Sequence, residues 1–330
     1  MLRVLLTLVL ISFGSIAAAF CNDESDLPDD LLSTLRAEAA RLPYHKGNLW
    51  QVEKKGVVSY VFGTMHLYDP RHEASMERLK PLIEKVDHVL VEADKNSEAD
   101  LQNLLFSDPS RYLITSGPSL MERLGPEAWA KLTPQLESYG LPPFMAAKFQ
   151  PWFLGFSMML PPCAIADLQA GRTGIDKSIE AYAEKPVTAL DDMERLLSYF
   201  AKDPLDQQVE ELRWGLLLEV PMTPPESGLT QFYFDEEHGL VWGLAAHQVA
   251  EIAGHLPLQE QAKLKAMVDE MLEDLISARN LQWMEQLVPA LEAAPGLVAV
   301  GALHLSGQQG VLNELQKRGF TVTALSMSHP

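Results

Sequence analysis

Two stretches of this chain share one local plan. In Val61-Phe62-Gly63-Thr64-Met65-His66-Leu67 an apolar run meets a glycine, and a His-Leu pair follows three residues on. Ala299-Val300-Gly301-Ala302-Leu303-His304-Leu305 repeats the plan near the other end of the chain. Each reads as a buried strand that breaks into a loop carrying a histidine. The plan is useful only in a fold that gathers distant strands into one sheet, so that both loops leave from the same edge.

The surrounding pattern supplies such a sheet. Asn48 to Gly63 holds two apolar runs around Lys54-Lys55-Gly56, a hairpin signal. His72 to Asp87 is amphipathic, with Met76, Leu79, Leu82, Ile83 and Val86 on one stripe and Asp69-Pro70 as its expected start. Asp87 to Ala93 is a short apolar strand. Helical patterns fill most of the chain from Asp94 to Leu291, broken at Pro142-Pro143, at Pro161-Pro162 and by the loop Val220 to Gly228. Within that region Gly171 to Asp192 reads as turn, helix, strand and the start of another helix. Near the end, Gly296 to Gly301 is a buried strand, and Ser306 with Gln309 has capping-box spacing before a helix that Gly319 stops. Phe320 to Leu325 is a last strand. The fold class is α/β (mixed α+β): a central β-sheet flanked by helices, with a large helical insertion, in a single domain.

The first residues are set apart. Arg3, the apolar run Val4 to Ile16 and Ala17-Ala18-Ala19 make a secretory signal peptide, assigned to residues 1–19, with the domain at 20–330. An uncleaved anchor fits less well, because the run is short for a span and an acidic segment follows it. A lipid-modified Cys21 is disfavoured by the bulky Phe20 before it. Removing Arg3 with the signal leaves 25 basic and 45 acidic residues, a net charge of −20. That balance excludes nucleic acid as a partner and leaves no stable membrane span; it favours cations. The expected location is periplasmic or secreted. An oxidising compartment would permit a bridge between Cys21 and Cys163, but the place of Cys21 near the mature terminus disfavours it, and no Cys-x-x-Cys suggests a metal.

The chemistry lies at strand ends. Ligands of open α/β sheets bind beyond the carboxyl ends of the strands. His66 and His304 sit just past two such ends, and Glu92 ends the strand between them in sequence. Gly63 and Gly301 are expected to allow the sharp turn that aims each histidine back over the sheet. Helix starts just beyond both histidines should keep the imidazoles neutral, the form that binds metal. Two histidines and a carboxylate form a three-ligand set for a divalent ion, Mn, Co, Zn or Fe, with Glu92 serving either as ligand or as general base. Such an ion activates water and polarises a carbonyl, so the implied reaction is hydrolysis of an amide or ester. Weighed one by one, each of these residues is also an ordinary cap or core residue; the repetition raises the pair.

Other groups read as structural. His72 to Met76 lacks the second histidine of a zincin motif. Asp235 to His238 reads as a solvated helix start. His247 and His255 have no histidine partner at helical spacing, and Gly171 to Gly174 lacks a phosphate-loop ending. Asp191 and Asp192 cap a helix, with Asp191 in reach of the sheet edge. Arg279 and Trp283, at i and i+4, form a packed cation–aromatic pair, with an anion handle over the site as the other reading.

Phe62 to Pro70, Val86 to Asp94, Phe149 to Leu160, Gly174 to Asp192, Ala278 to Leu287 and Leu297 to Phe320 run in an order that resembles the TraB/GumN family, which includes the Tiki-type metalloproteases. The resemblance implies metal-dependent cleavage of a peptide or protein substrate, with His66 and His304 as motif histidines and Glu92 as the motif acid. Arg279 and Asn280 match the family's Arg-Asn pair, placed near the substrate. Where the family usually has Glu after the Leu of the fourth strand, this chain has Asp191. A peptide-binding protein without catalysis, and a metal-independent esterase using one histidine, are the alternatives on the same scaffold.

Overall fold

The computed structural model describes residues 27–158, 160, 162–218 and 229–327. The signal-peptide assignment, Cys21, Pro161 and the Val220 to Gly228 loop lie outside them. The chain divides into two compact units. One comprises Asp23–Asp100, Arg172–Arg195 and Ser227–Pro330, and carries the sheet. The other, Leu101–Gly171 with Leu196–Glu226, is the helical insertion.

Strands β1 (Leu49–Lys54) and β2 (Val57–Thr64) form the expected hairpin. Its turn, Lys55-Gly56, has positive φ at both residues (54° and 81°), the backbone of a two-residue hairpin whose twist matches the strands. β3 (His88–Val91), β4 (Val187–Ala189), β5 (Gly296–Gly301) and β6 (Thr321–Leu325) complete one sheet in the order β4-β3-β5-β2-β1-β6. The four strands from β4 to β2 run parallel; β1 pairs antiparallel with both β2 and β6. β5, late in sequence, inserts between β2 and β3. The ends of β2, β5, β3 and β4 therefore lie side by side on one edge.

Alternation along the strands assigns each face its cover. Val61, Leu90, Val298 and Val300 pack with Leu287 and Leu291 of the helix Ala278–Ala293 and with Leu312 and Leu315 of the helix Val311–Lys317. Phe62, Val89, Val91, Leu297 and Ala299 pack instead with Leu79, Leu82 and Ile83 of the helix His72–Lys85 and with Ile175 and Ile179 of the helix Ile175–Tyr182. A parallel sheet buried on both faces needs nearly continuous apolar strands, which is why β5 reads Gly-Leu-Val-Ala-Val-Gly. The insertion has its own core, in which Leu120, Leu124, Leu132 and Leu136 meet Leu154, Val209 and Leu216. Cys163 there is disulfide-bonded, contrary to the expectation that a bridge is disfavoured. No helix among the described residues is long and apolar enough to cross a membrane.

Two helix starts differ from the sequence reading. Asp69 does not open the helix at Pro70; the helix begins at His72, and the Asp69 carboxylate accepts the Arg71 N–H at 2.8 Å and pairs with its guanidinium. The last helix begins at Val311 with Gly310 as its cap, so Ser306 and Gln309 form no capping box. Ser306 Oγ instead accepts the Trp242 indole N–H at 3.2 Å. Gly310 is needed because a Cβ there would collide with the Leu305 and Ser306 carbonyl oxygens.

The Asp235 to His238 segment is not a solvated helix start at its last residue. His238 is 1% exposed, and its Nδ1 faces the Asn48 side-chain oxygen at 3.3 Å. Burial pushes this imidazole down to about 4. In the unfolded chain it takes up a proton near pH 6.5, whereas the folded chain resists until about pH 4. Stability is therefore lost as pH falls through that window, by roughly 3 kcal/mol if the whole gap is expressed. His238→Asn, which keeps a donor to Asn48, should show a shallower fall in melting temperature between pH 7 and pH 4.5 than the wild type. Parallel curves would contradict the assignment.

Candidate active site

The four parallel strand ends deliver Asp191, Glu92, His304 and His66 in the order β4, β3, β5, β2. His66 Nε2 lies 3.7 Å from Glu92 Oε1, and His304 Nε2 lies 3.9 Å from the same oxygen. The two loop histidines thus meet one carboxylate. A Cβ on Gly301 would stand 3.1 Å from Glu92 Oε1, 3.5 Å from His304 Cδ2 and 3.7 Å from His66 Nε2. The missing side chain opens a cradle that all three groups face.

The paired glycines act through packing rather than through an unusual backbone. Gly63 is a regular strand residue, and a Cβ there would come within 2.8 Å of Leu305 Cδ1 and 3.0 Å of the Ala302 Cα. It lets β2 press against the single 3₁₀ turn Ala302–His304 that presents His304. Gly63→Ala should cost about 1–3 kcal/mol through overpacking and displace that turn. A melting temperature equal to that of the wild type would show that the contact relaxes freely.

Arg279, near the start of its helix, holds the carboxylates. Its Nε donates to Asp191 Oδ1 at 3.2 Å, and Nη2 donates to Asp191 Oδ2 at 2.6 Å and Glu92 Oε2 at 2.7 Å. Nη1 donates to the Leu275 carbonyl at 2.9 Å and faces His304 Nε2 at 3.3 Å. A guanidinium has five N–H groups, and these five contacts occupy all of them. Arg279 also lies over the Trp283 ring at 4.9 Å. The cation–aromatic reading holds, and Arg279 belongs to the site as well, but it has no donor left for a substrate anion. A π-helical turn, Glu273–Ser277, directly precedes this helix.

Asn280 is fully buried and does not line an open surface. Its Oδ1 lies 2.7 Å from His304 Nδ1, and its Nδ2 donates to the Gln309 carbonyl at 2.9 Å. The amide is oriented by its own donors, so His304 must give its Nδ1 proton and keep a lone pair on Nε2, towards Glu92 and Arg279. Trp283 packs against His304 with ring centroids 4.5 Å apart and planes tilted by 43°, and its indole N–H donates to Asp191 Oδ1 at 2.8 Å. Asp191 and Asp192 divide the two roles read from sequence: Asp192 accepts the Arg195 N–H at 3.0 Å as a cap, while Asp191 reaches the site.

Asp176 is the residue that sequence reasoning missed. Its Oδ2 lies 3.3 Å from His66 Nδ1, on the side of the ring away from Glu92. The signal available was Gly174-Ile175-Asp176 at a helix start, which reads as an ordinary first-turn acid.

The electrostatics separate the two histidines. Helix starts do not keep them neutral, since the following helices begin too far along the chain. His304 is neutral because burial, only partly opposed by Glu92, pushes it down to about 4. His66 goes the other way. Burial opposes its charge, but Asp176 and Glu92 outweigh it and raise the ring to about 10. With 53% of the His66 side chain exposed, solvent screens part of that pull. For Glu92, burial would raise the carboxyl, but His304, His66 and Arg279 hold it well below the usual carboxylate range.

As the side chains stand, no group of three or more His, Cys, Asp or Glu among the described residues could hold a metal ion. Glu92 Oε1 accepts the Gly301 N–H at 2.5 Å, and Arg279 faces the His304 lone pair. In donor chemistry the set nonetheless fits a divalent ion: each imidazole has its Nδ1 on an oxygen behind it and its Nε2 towards one carboxylate oxygen, the arrangement that orients histidine ligands.

The fold and site define a class: an open α/β sheet with a histidine–carboxylate centre at the carboxyl ends of its parallel strands. Within it, this chain belongs to the TraB/PrgY/gumN family, whose model matches residues 48–324. That span runs from just before β1 into β6 and includes every residue of the site. No curated protein and no solved structure matches the chain.

Proposed function

We propose that the protein is an exported metal-dependent hydrolase of peptide bonds, with His66, Glu92 and His304 holding one divalent ion. The observation that carries this reading is the approach of both Nε2 atoms to the same Glu92 oxygen, at 3.7 and 3.9 Å. Bound there, the ion would supply a water of lowered pKa and polarise the scissile carbonyl. The chain's own residues prepare the place. Arg279 keeps Glu92 ionised and holds its Oε2, leaving Oε1 for the cation. Asn280 fixes the His304 tautomer. To hold the ion, His66 would give up its Nε2 proton, and Glu92 Oε1 and the His304 lone pair would turn from the Gly301 N–H and from Arg279. Residues 1–19 direct export and are then removed, so the mature protein works in the periplasm or outside the cell.

The test is hydrolysis of a random peptide library by the purified protein, with and without a chelator, beside His304→Ala. Cleavage that a chelator abolishes, that Mn²⁺, Co²⁺ or Zn²⁺ restores, and that the variant lacks supports the reading. The Asp176–His66 pair favours a second reading, a metal-independent hydrolase with His66 as base. Cleavage that survives the chelator but not His66→Ala would select it. Binding of peptides without cleavage under any metal would select a sequestering protein.

A further inference from the structure

The geometry points to Asp176 as the positioning residue of His66: it holds the ring by Nδ1 so that Nε2 faces Glu92. The consequence for cation binding rests on the function proposed above; the orientation itself does not. Ile175 N donates to the Met65 carbonyl at 3.2 Å, which ties the His66 loop to the start of the Ile175–Tyr182 helix. Gly174 makes that approach possible, since a Cβ there would collide with the Met65 oxygen and the His66 carbonyl carbon. The loop and helix are held together, and Asp176 stands one residue beyond the tie.

From there its Oδ2 meets His66 Nδ1 at 3.3 Å, while its Oδ1 is buried without a hydrogen-bond partner. A carboxylate with one buried oxygen left unbonded is a poor choice for stability. As a first-turn acid it would favour the helix dipole equally well from an exposed position. What its placement gains is the ring: His66 is half exposed, and among the described residues Asp176 is the ionic partner of its Nδ1. The parallel with the other histidine is close. Asn280, also near the start of a helix, holds His304 by Nδ1. Each loop histidine has its own holder, a carboxylate for the exposed ring and an amide for the buried one.

The test uses the full chain in three forms: wild type, Asp176→Asn and Asp176→Ala. The first readout is the His66 Nδ1 proton in ¹⁵N-edited spectra of the metal-free protein, assigned by its disappearance in His66→Gln. Both the neutral tautomer and the charged ring carry that proton when Asp176 accepts it. It should exchange slowly in the wild type, persist in Asp176→Asn and be lost to solvent exchange in Asp176→Ala. The second readout is Mn²⁺ affinity by calorimetry, expected to fall about 10–100-fold in Asp176→Ala and less in Asp176→Asn, with melting temperatures unchanged. A proton absent from the wild type, or equally protected in Asp176→Ala, overturns the proposal. So does an unchanged Mn²⁺ affinity in a variant that has lost the proton. If the wild type binds no Mn²⁺, the metal reading fails, and the proton signal alone decides the role of Asp176.

Discussion

Asp191→Ala should lower the stability of the fold by roughly 3 kcal/mol, near the low end for breaking a buried ion pair because Glu92 stays on Arg279. The carboxylate is nearly buried, with 7% of its side chain exposed. It accepts from Arg279 Nε, Arg279 Nη2 and the Trp283 indole. Truncation leaves three donors without partners in a closed space, next to a guanidinium that cannot neutralise itself. Asp191→Asn keeps one oxygen acceptor and should cost less. Urea unfolding checks both, and an alanine variant as stable as the wild type would mean that water or a side-chain shift satisfies Arg279. The short Asp191 side chain anchors Arg279 from just beyond β4 and leaves Glu92 to face the histidines.

The second large effect is on function. Glu92→Gln preserves size but removes the charge on which both imidazoles converge. Under the proposed function, hydrolysis should fall at least about 10²-fold, the lower end of what a positioned acid–base group contributes, and Mn²⁺ binding should weaken with it. Steady-state cleavage and calorimetry on one preparation measure the two together. Full cleavage by Glu92→Gln would remove Glu92 from the chemistry. Arg279 retains Asp191 in this variant, so a collapse of stability would point to a structural role for Glu92.

Much of this site can be read in the chain. The hairpin, β3, β5 and β6 follow from apolar runs bounded by Gly, Lys and Pro, and His66, Glu92 and His304 from their places at strand ends. The order of strands cannot be read the same way. β5 pairs with β2 and β3 through side chains that would suit several neighbours, so the insertion that sets His304 between His66 and Glu92 comes from the packing of the whole sheet. Local capping signals misled at Asp69 and Ser306 because other partners claimed both side chains, the neighbouring Arg71 for one and the distant Trp242 for the other. Asp176 was hidden for the opposite reason. Its partner, His66, lies far away in sequence, and its own surroundings are those of any first-turn acid. The opposite charge preferences of His66 and His304 are equally hidden: burial keeps His304 neutral, whereas at His66 the distant Asp176 and Glu92 outweigh burial.

The central claim is that the two Gly-x-x-His loops and Glu92 share one cation. Titrating the purified mature protein with Mn²⁺ in a calorimeter, beside a His304→Ala variant whose circular dichroism matches the wild type, tests it most directly. One ion per chain is expected for the wild type and none for the variant. A wild type that takes up no ion, or a variant that binds as the wild type does, would contradict it.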